Sequence, residues 1–246
     1  MKAMVLAAGL GTRLRPLTNT IPKPLLPIAG TPLIVWNLLL LKRHGFQDVV
    51  INLHHLGPMI EQALGDGSRY GLRIIYSREP VILGTGGGLK QAEQHFSGES
   101  VLVLNGDTLV DLDLEAVCAF HQQRNAMATL VLRKDPEAVQ WGLVEMDSDN
   151  RIVRIIGRGH PYQAPTQPRM FAGIHVLRTR LLRDVPKGVA STIIEPYIAA
   201  IERGETVLGY DYDGYWSDIG TPERYAQAEH DASVGRITLA TRQLPV

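Results

Sequence analysis

The chain has 246 residues, is 45% hydrophobic and 20% charged, and carries 25 basic and 25 acidic residues, a formal net charge of zero. That balance fits an ordinary folded protein. It excludes a disordered acidic or basic chain, and it argues against a nucleic-acid partner, which calls for a whole basic face.

Six basic residues, Lys2, Arg13, Arg15, Lys23, Lys42 and Arg43, precede Asp48, the first acidic one. A neutral chain with a basic, glycine-rich start reads as a binder of small anions. Lys42 and Arg43 close a predicted helix and read as solvated surface. Cys118 is the single cysteine, so no internal disulfide or thiolate metal centre can form. It follows the apolar rhythm of residues 114–123, which argues against a nucleophilic role. Residues 24–41 carry no charge but are broken by Pro27, Gly30, Thr31, Pro32 and Asn37, unlike a membrane span. The apolar residues after Lys2 end at once in a glycine turn, so no secretion signal is expected. A cytoplasmic location without a membrane partner is the resulting expectation. Self-association into a homo-oligomer is left open.

In chain order, the apolar pattern predicts strands at residues 2–8, 49–53, 73–76, 101–105 and 128–133. Helices are predicted between them at 33–44, 58–64, 88–94 and 114–123. Thr31 reads as the N-cap of the first helix with Pro32 as its first residue, and His44-Gly45 as its stop. His54 and His55 are adjacent and read as loop residues, not as a metal pair. Strands alternating with helices imply a doubly wound parallel sheet, whose ligands lie beyond the carboxyl ends of the strands. From about Trp141 the texture changes to short β-like segments at 143–146, 152–156, 170–177 and 207–210, around a looser 157–168. Helices are predicted at 193–203 and 222–233. One domain spanning 1–246 is expected: a nucleotide-binding part over 1–140, a smaller lobe over 141–178, and a C-terminal part over 179–246.

The turn after the first predicted strand, Gly9-Leu10-Gly11-Thr12-Arg13, is followed ten residues later by Lys23 between two prolines. Glycines let backbone N–H groups approach a polyanion closely. Arg13 can then grip it with two prongs and Lys23 as a point charge. Such a pattern suits a nucleoside triphosphate. Leu14 stands where a dinucleotide fingerprint needs its third glycine, and no acidic residue follows about twenty positions on. No Gly-Lys-Ser/Thr phosphate loop is present either. A second glycine cluster, Gly84-Thr85-Gly86-Gly87-Gly88, can lay backbone groups along a flat base or sugar, or can be a surface turn.

Asp107 ends the apolar run 101–105 with Asn105-Gly106 before it, where a carboxylate points into the ligand crevice and can hold Mg²⁺ on phosphate. Asp111 and Asp113 are candidate caps for the next helix. Asp218, in Gly214-Tyr-Trp-Ser-Asp-Ile-Gly-Thr-Pro, is the natural second metal ligand, just outside a helix that starts at Thr221-Pro222.

Leu6-Ala7-Ala8-Gly9-Leu10-Gly11-Thr12-Arg13-Leu14-Arg15-Pro16-Leu17-Thr18 together with Pro22-Lys23-Pro24-Leu25-Leu26-Pro27 resembles the signature of the sugar-1-phosphate nucleotidyltransferases. Residues 83–88, Asn105-Gly-Asp-Thr, Trp141-Gly-Leu-Val and Tyr215-Trp-Ser-Asp-Ile-Gly-Thr-Pro resemble that family's further motifs, in order, so the likeness covers residues 1 to about 230. The resemblance implies a Rossmann-like three-layer α/β/α sandwich with a mixed, mostly parallel sheet and a smaller sugar-binding lobe. It implies that NTP and sugar 1-phosphate give NDP-sugar and pyrophosphate, with Mg²⁺ as cofactor. Leu6, Ala7, Ala8, Gly9, Gly11 and Thr12 would hold nucleotide, as would Gly84, Thr85 and Gly86. Arg13 would take the leaving pyrophosphate, Lys23 the reacting phosphates, and Asp107 and Asp218 the metal. Asn105, Gly142, Arg158 and Gly173 would contact the sugar phosphate. Many members carry Glu-Lys-Pro where this chain has Gly157-Arg158-Gly159, so Arg158 stands in for a lysine and the sugar-contacting glutamate is missing.

The nearest subgroups by resemblance are N-acetylmuramate-1-phosphate uridylyltransferases and mannose- or heptose-1-phosphate guanylyltransferases, leaving UTP and GTP as donors. Glu79 either accepts from guanine N1 and N2 or is a loop carboxylate. Two other classes stay open, a catalytically silent regulator that binds NDP-sugar and a cytidylyltransferase acting on a non-sugar phosphate. Retention of Arg13, Lys23, Asp107 and Asp218 together speaks against the silent one.

Overall fold

The computed structural model describes residues 1–96 and 98–237. The chain is α/β on a mixed central sheet and divides into two compact units. The first unit comprises Lys2–Gly84, Leu104–Leu112 and the chain from Gly214 onward; the second comprises Met1, Thr85–Val103 and Asp113–Asp213.

In the first unit, strands Lys2–Leu6, Asp48–Leu53 and Arg73–Arg78 pair in parallel, with Ala3 opposite Val49 and Val49 opposite Ile74. Helix Leu33–Arg43 makes the crossover between the first two and Gly57–Leu64 that between the next two. Leu33–Leu41 is buried almost throughout, because the helix is apolar on every side. Thr31-Pro32 does not begin this helix. Those residues form a short strand paired antiparallel with Pro27–Ile28, and the helix starts at Leu33. Proline has no N–H to lose at either site, so hairpin and helix start are both open to it, and the hairpin wins. Thr108–Val110 pairs antiparallel with Trp216–Asp218, two strands too short to show in the apolar pattern. Helix Pro222–Ser233 follows, capped by the Thr221 hydroxyl, which accepts from Arg224 N.

In the second unit, the 12-residue strand Gln167–Arg178 pairs antiparallel with Ala128–Arg133 and with Val144–Met146, and Val207–Asp211 adds to Ala128–Arg133 in parallel. Its register shifts between Phe171 and His175, around Gly173 with φ of 77°. Such a bulge re-aims the strand. Helix Leu114–Gln123 is capped by Asp113, whose Oδ1 accepts from Ala116 N at 3.0 Å. Helix Gly84–Ala92 contains the second glycine cluster, where the sequence placed the helix after it. Gly86 explains the tolerance: a Cβ there would lie 2.9 Å from the Thr192 backbone, and its N–H donates to Ser191 O at 2.9 Å. The buried imidazole Nδ1 of His175 shares a hydrogen bond with the Tyr197 hydroxyl, tying this strand to helix Ile194–Glu202.

Candidate active site

Within the first unit, four of the predicted residues converge. Strand Lys2–Leu6 ends in a turn in which Gly11 has φ of 63° and starts the 3-10 turn Thr12–Leu14. A Cβ on Gly11 would lie 2.9 Å from Thr18 Cγ2 and 3.3 Å from Lys23 Cβ. The buried Thr18 hydroxyl donates to Gly11 O at 2.8 Å, and His55 Nε2 donates to Thr18 O at 3.0 Å. These contacts fix the turn against the segment that carries Lys23. Gly9 has open space around its Cα, leaving its backbone approachable.

Lys23 is buried, and its Nζ donates to Asp107 Oδ2 at 2.6 Å. Asp107 leaves strand Ser100–Asn105 through Gly106, where a Cβ would strike Leu6 O at 2.7 Å. Only glycine lets the two strand ends approach so closely. Antiparallel pairing sets Asp218 opposite Thr108, and Ile219 N donates to Asp107 O at 2.9 Å. The two carboxylates, 111 residues apart in sequence, therefore stand on adjacent strand ends. Burial, and next the Asp107 charge, push the Asp218 carboxyl above the usual aspartate value; Lys23, Arg13 and Arg224 pull the other way. Arg224 Nη1 donates to Asp218 Oδ1 at 3.2 Å. A Cβ on Gly220 would lie 2.3 Å from Asp218 Oδ1 and 2.9 Å from Arg13 Nη2, so Arg13 lies against this same corner.

Two hard carboxylates beside cationic side chains suit Mg²⁺, which takes one or two protein oxygens and completes its shell with phosphate and water. Among the described residues no group of three or more His, Cys, Asp or Glu forms a complete metal cage.

Three of these features were missed from sequence. Gly220 lies in the quoted motif, but its proximity to Arg13 is purely tertiary. Arg224 is three residues past the helix cap, a position that reads as a solvated cation. Thr18 closes the first quoted motif, but its bond to Gly11 is purely tertiary.

Glu79 is buried, with Asn52 and Leu83 on its two carboxylate oxygens. Asn105 is half-buried at the end of its strand, and Gly84 has φ of 67° at the start of its helix. Leu6, Ala7, Ala8, Gly9 and Thr12 also lie in the first unit, whereas Thr85, Gly86, Gly142, Arg158 and Gly173 belong to the second. Thr85 Oγ1 accepts from Ile193 N at 3.0 Å, next to the Gly86–Ser191 contact. Gly142, with φ of 91°, ends helix Ala138–Trp141, and a Cβ there would lie 3.4 Å from Ile156 Cγ2. Arg158 lies on strand Arg158–Gly159 and donates to both oxygens of Glu195 at 2.9 and 3.0 Å. Both side chains are about half exposed, so this pair adds little stability.

Comparison with known proteins finds relatives along most of the chain. N-acetylmuramate alpha-1-phosphate uridylyltransferase of Neisseria meningitidis serogroup B is 39% identical over 232 residues, covering 93% of this chain and 97% of that protein. Mannose-1-phosphate guanylyltransferase of Mycobacterium tuberculosis is 33% identical over 93% of this chain, which spans only 64% of that longer protein. A solved Bacillus anthracis structure, assigned as a glucose-1-phosphate thymidylyltransferase, shares the fold with a TM-score of 0.82 at 22% identity, covering 94% of this chain and 95% of that one. No helix among the described residues is long and apolar enough to cross a membrane. The profile of the nucleotidyl transferase family matches residues 2–234, and the chain belongs to that family.

Proposed function

We propose that this protein joins an NTP and a sugar 1-phosphate into an NDP-sugar, releasing pyrophosphate, with UTP as donor and N-acetylmuramate 1-phosphate as the first acceptor to try. The observation that carries the reaction class is the gathering of Arg13, Lys23, Asp107 and Asp218 in one unit. The choice of donor and acceptor rests on the relative matched over 97% of its length.

An oxygen of the sugar phosphate attacks the α-phosphorus in line, the bond to the β-phosphate oxygen breaks, and pyrophosphate carries the electron pair away. No covalent intermediate on the protein is needed. The glycine turn at 9–11 offers backbone N–H groups to the phosphates, and Lys23 places a fixed ammonium beside the reacting group. Arg13 offers its fork to the departing pyrophosphate. Mg²⁺, held by Asp107 and Asp218, would neutralise phosphate charge when bound. Gly142, Arg158 and Gly173 are assigned to the sugar phosphate by family resemblance alone.

The test is a pyrophosphate-release assay, as a grid of the common NTPs against several sugar 1-phosphates, with and without EDTA. Turnover with UTP that stops on chelation supports the proposal. No turnover in any well, together with tight NDP-sugar binding, overturns it in favour of a silent regulator.

A further inference from the structure

Beneath the glycine turn runs a chain of buried hydrogen bonds that the reaction above does not use. Ala7, the first residue beyond strand Lys2–Leu6, donates its N–H to Asn52 Oδ1 at 2.8 Å. Asn52, 2% exposed on strand Asp48–Leu53, turns the polarity around and donates through Nδ2 to Glu79 Oε1 at 2.7 Å. The other carboxylate oxygen, Oε2, accepts from Leu83 N at 2.9 Å. Glu79 is itself 4% exposed, and its backbone is held at both ends. Its N–H donates to Leu53 O at 2.8 Å, and its carbonyl accepts from His54 Nδ1 at 2.9 Å. Every atom of this chain lies in the first unit.

A buried carboxylate fixed by neutral N–H donors on both oxygens is poorly placed to read a base edge. It is well placed to hold backbone. Removing it leaves the Asn52 amide and the Leu83 N–H buried without acceptors, and the Ala7 contact loses its support.

We propose that Glu79 and Asn52 are a positioning pair that sets the backbone at Ala7, ahead of the phosphate-binding turn, in register with the backbone at Leu83, ahead of the second glycine cluster. This assignment builds on the reading of the 9–13 turn as the nucleotide site. It replaces the guanine-reading role that the sequence left open for Glu79.

The proposal makes an unusual demand of the chemistry: the charge can move from one partner to the other. In the double variant Asn52→Asp with Glu79→Gln, Ala7 N donates to one oxygen of the carboxylate now at position 52. The amide now at position 79 donates to the other oxygen, and its own carbonyl accepts from Leu83 N. Each donor again meets an acceptor at unchanged net charge. Either single variant fails this count. Glu79→Gln sets an N–H against an N–H, and Asn52→Asp sets carboxylate against carboxylate.

All three variants should be compared with wild type by NTP titration calorimetry, steady-state turnover with UTP and GTP, and thermal unfolding. Each single variant should raise KM for the NTP about tenfold with kcat within about threefold, equally for both nucleotides, as a misaligned but intact site would. The double variant should return affinity and unfolding midpoint to near wild type, a coupling that non-interacting residues do not show. A shift in the UTP/GTP ratio on Glu79→Gln overturns the proposal, since it would mean the side chain reads the base. So does a double variant that misfolds or stays weak. If wild type binds no NTP, the proposed function falls, while recovery of the unfolding midpoint in the double variant still decides whether the pair is coupled.

Discussion

Lys23 Nζ and Asp107 Oδ2 are 2.6 Å apart although 84 positions separate them in sequence, and the lysine is buried where it makes this contact. A buried ammonium held by one carboxylate has a fixed position before any phosphate arrives. Lys23→Ala should therefore lower kcat/KM for pyrophosphate release by about 10²–10³-fold, the loss typical of one preorganised charge contact. Lys23→Arg should recover little, because a planar fork does not fill the place of a compact point charge. Near-wild-type turnover in Lys23→Ala would remove this residue from the reaction.

Asp218 should show opposite effects on activity and stability. Its carboxyl is held above the usual aspartate value by burial and by Asp107, so the folded protein favours the neutral form. The stability tied to that proton is present at low pH and is lost as pH rises through the raised value. Asp218→Asn keeps the shape without the charge, and should raise the unfolding midpoint at pH 7.5 by about 2–4 °C for each kcal/mol relieved. Turnover should fall to background in the same variant. A variant that is both less stable and active would contradict this account.

Gly11 combines φ of 63° with a Cβ position 2.9 Å from Thr18 Cγ2. Gly11→Ala meets both backbone strain and a clash, so a stability loss of about 1–3 kcal/mol is expected. KM for the NTP should rise with it, because the same turn presents the backbone N–H groups. Urea titration and initial rates read the two effects separately.

Two buried histidines should add to the acid sensitivity of the fold. Burial lowers His121 to about 4 and His175 to about 3. Both remain neutral in the folded state while the unfolded chain takes protons near 6.5. Their stability contribution is complete above that value and is lost as pH falls toward 4. The urea midpoint should drop between pH 6.5 and 4.5. His121→Gln, which can still bond Ser100 and Thr129, should flatten that slope. An unchanged slope would exclude His121 as a contributor.

Much of this was readable from the residues. Apolar runs such as 128–133 and the capped segment 222–233 gave strands and helices at the observed bounds, because propensity, burial and capping agree there. Residues that are short, paired or tertiary were not readable. The strands Thr108–Val110 and Trp216–Asp218 are three residues each and exist only through their mutual pairing. The second glycine cluster is helical because Gly86 abuts the 191–192 backbone, which local preference for a turn does not reveal. At the candidate site, the sequence named the charges but not their pairing. Asp107 meets Lys23, Asp218 meets Arg224, and Glu79 turns inward to Asn52 instead of outward to ligand.

Helix Pro222–Ser233 begins four residues after Asp218, and farther along it grips the hairpin that follows Lys23. Tyr225 OH donates to Pro27 O at 2.7 Å, and the Glu229 carboxylate accepts from Ala29 N at 3.2 Å. Residues 22–32 and 216–233 are thus strapped together by direct hydrogen bonds, although they lie at opposite ends of the polypeptide. Anyone grafting a relative's acceptor preference onto this scaffold should exchange the two stretches together. A swap confined to one of them would cut the strap and misalign Lys23 with Asp218, even with every charged side chain retained.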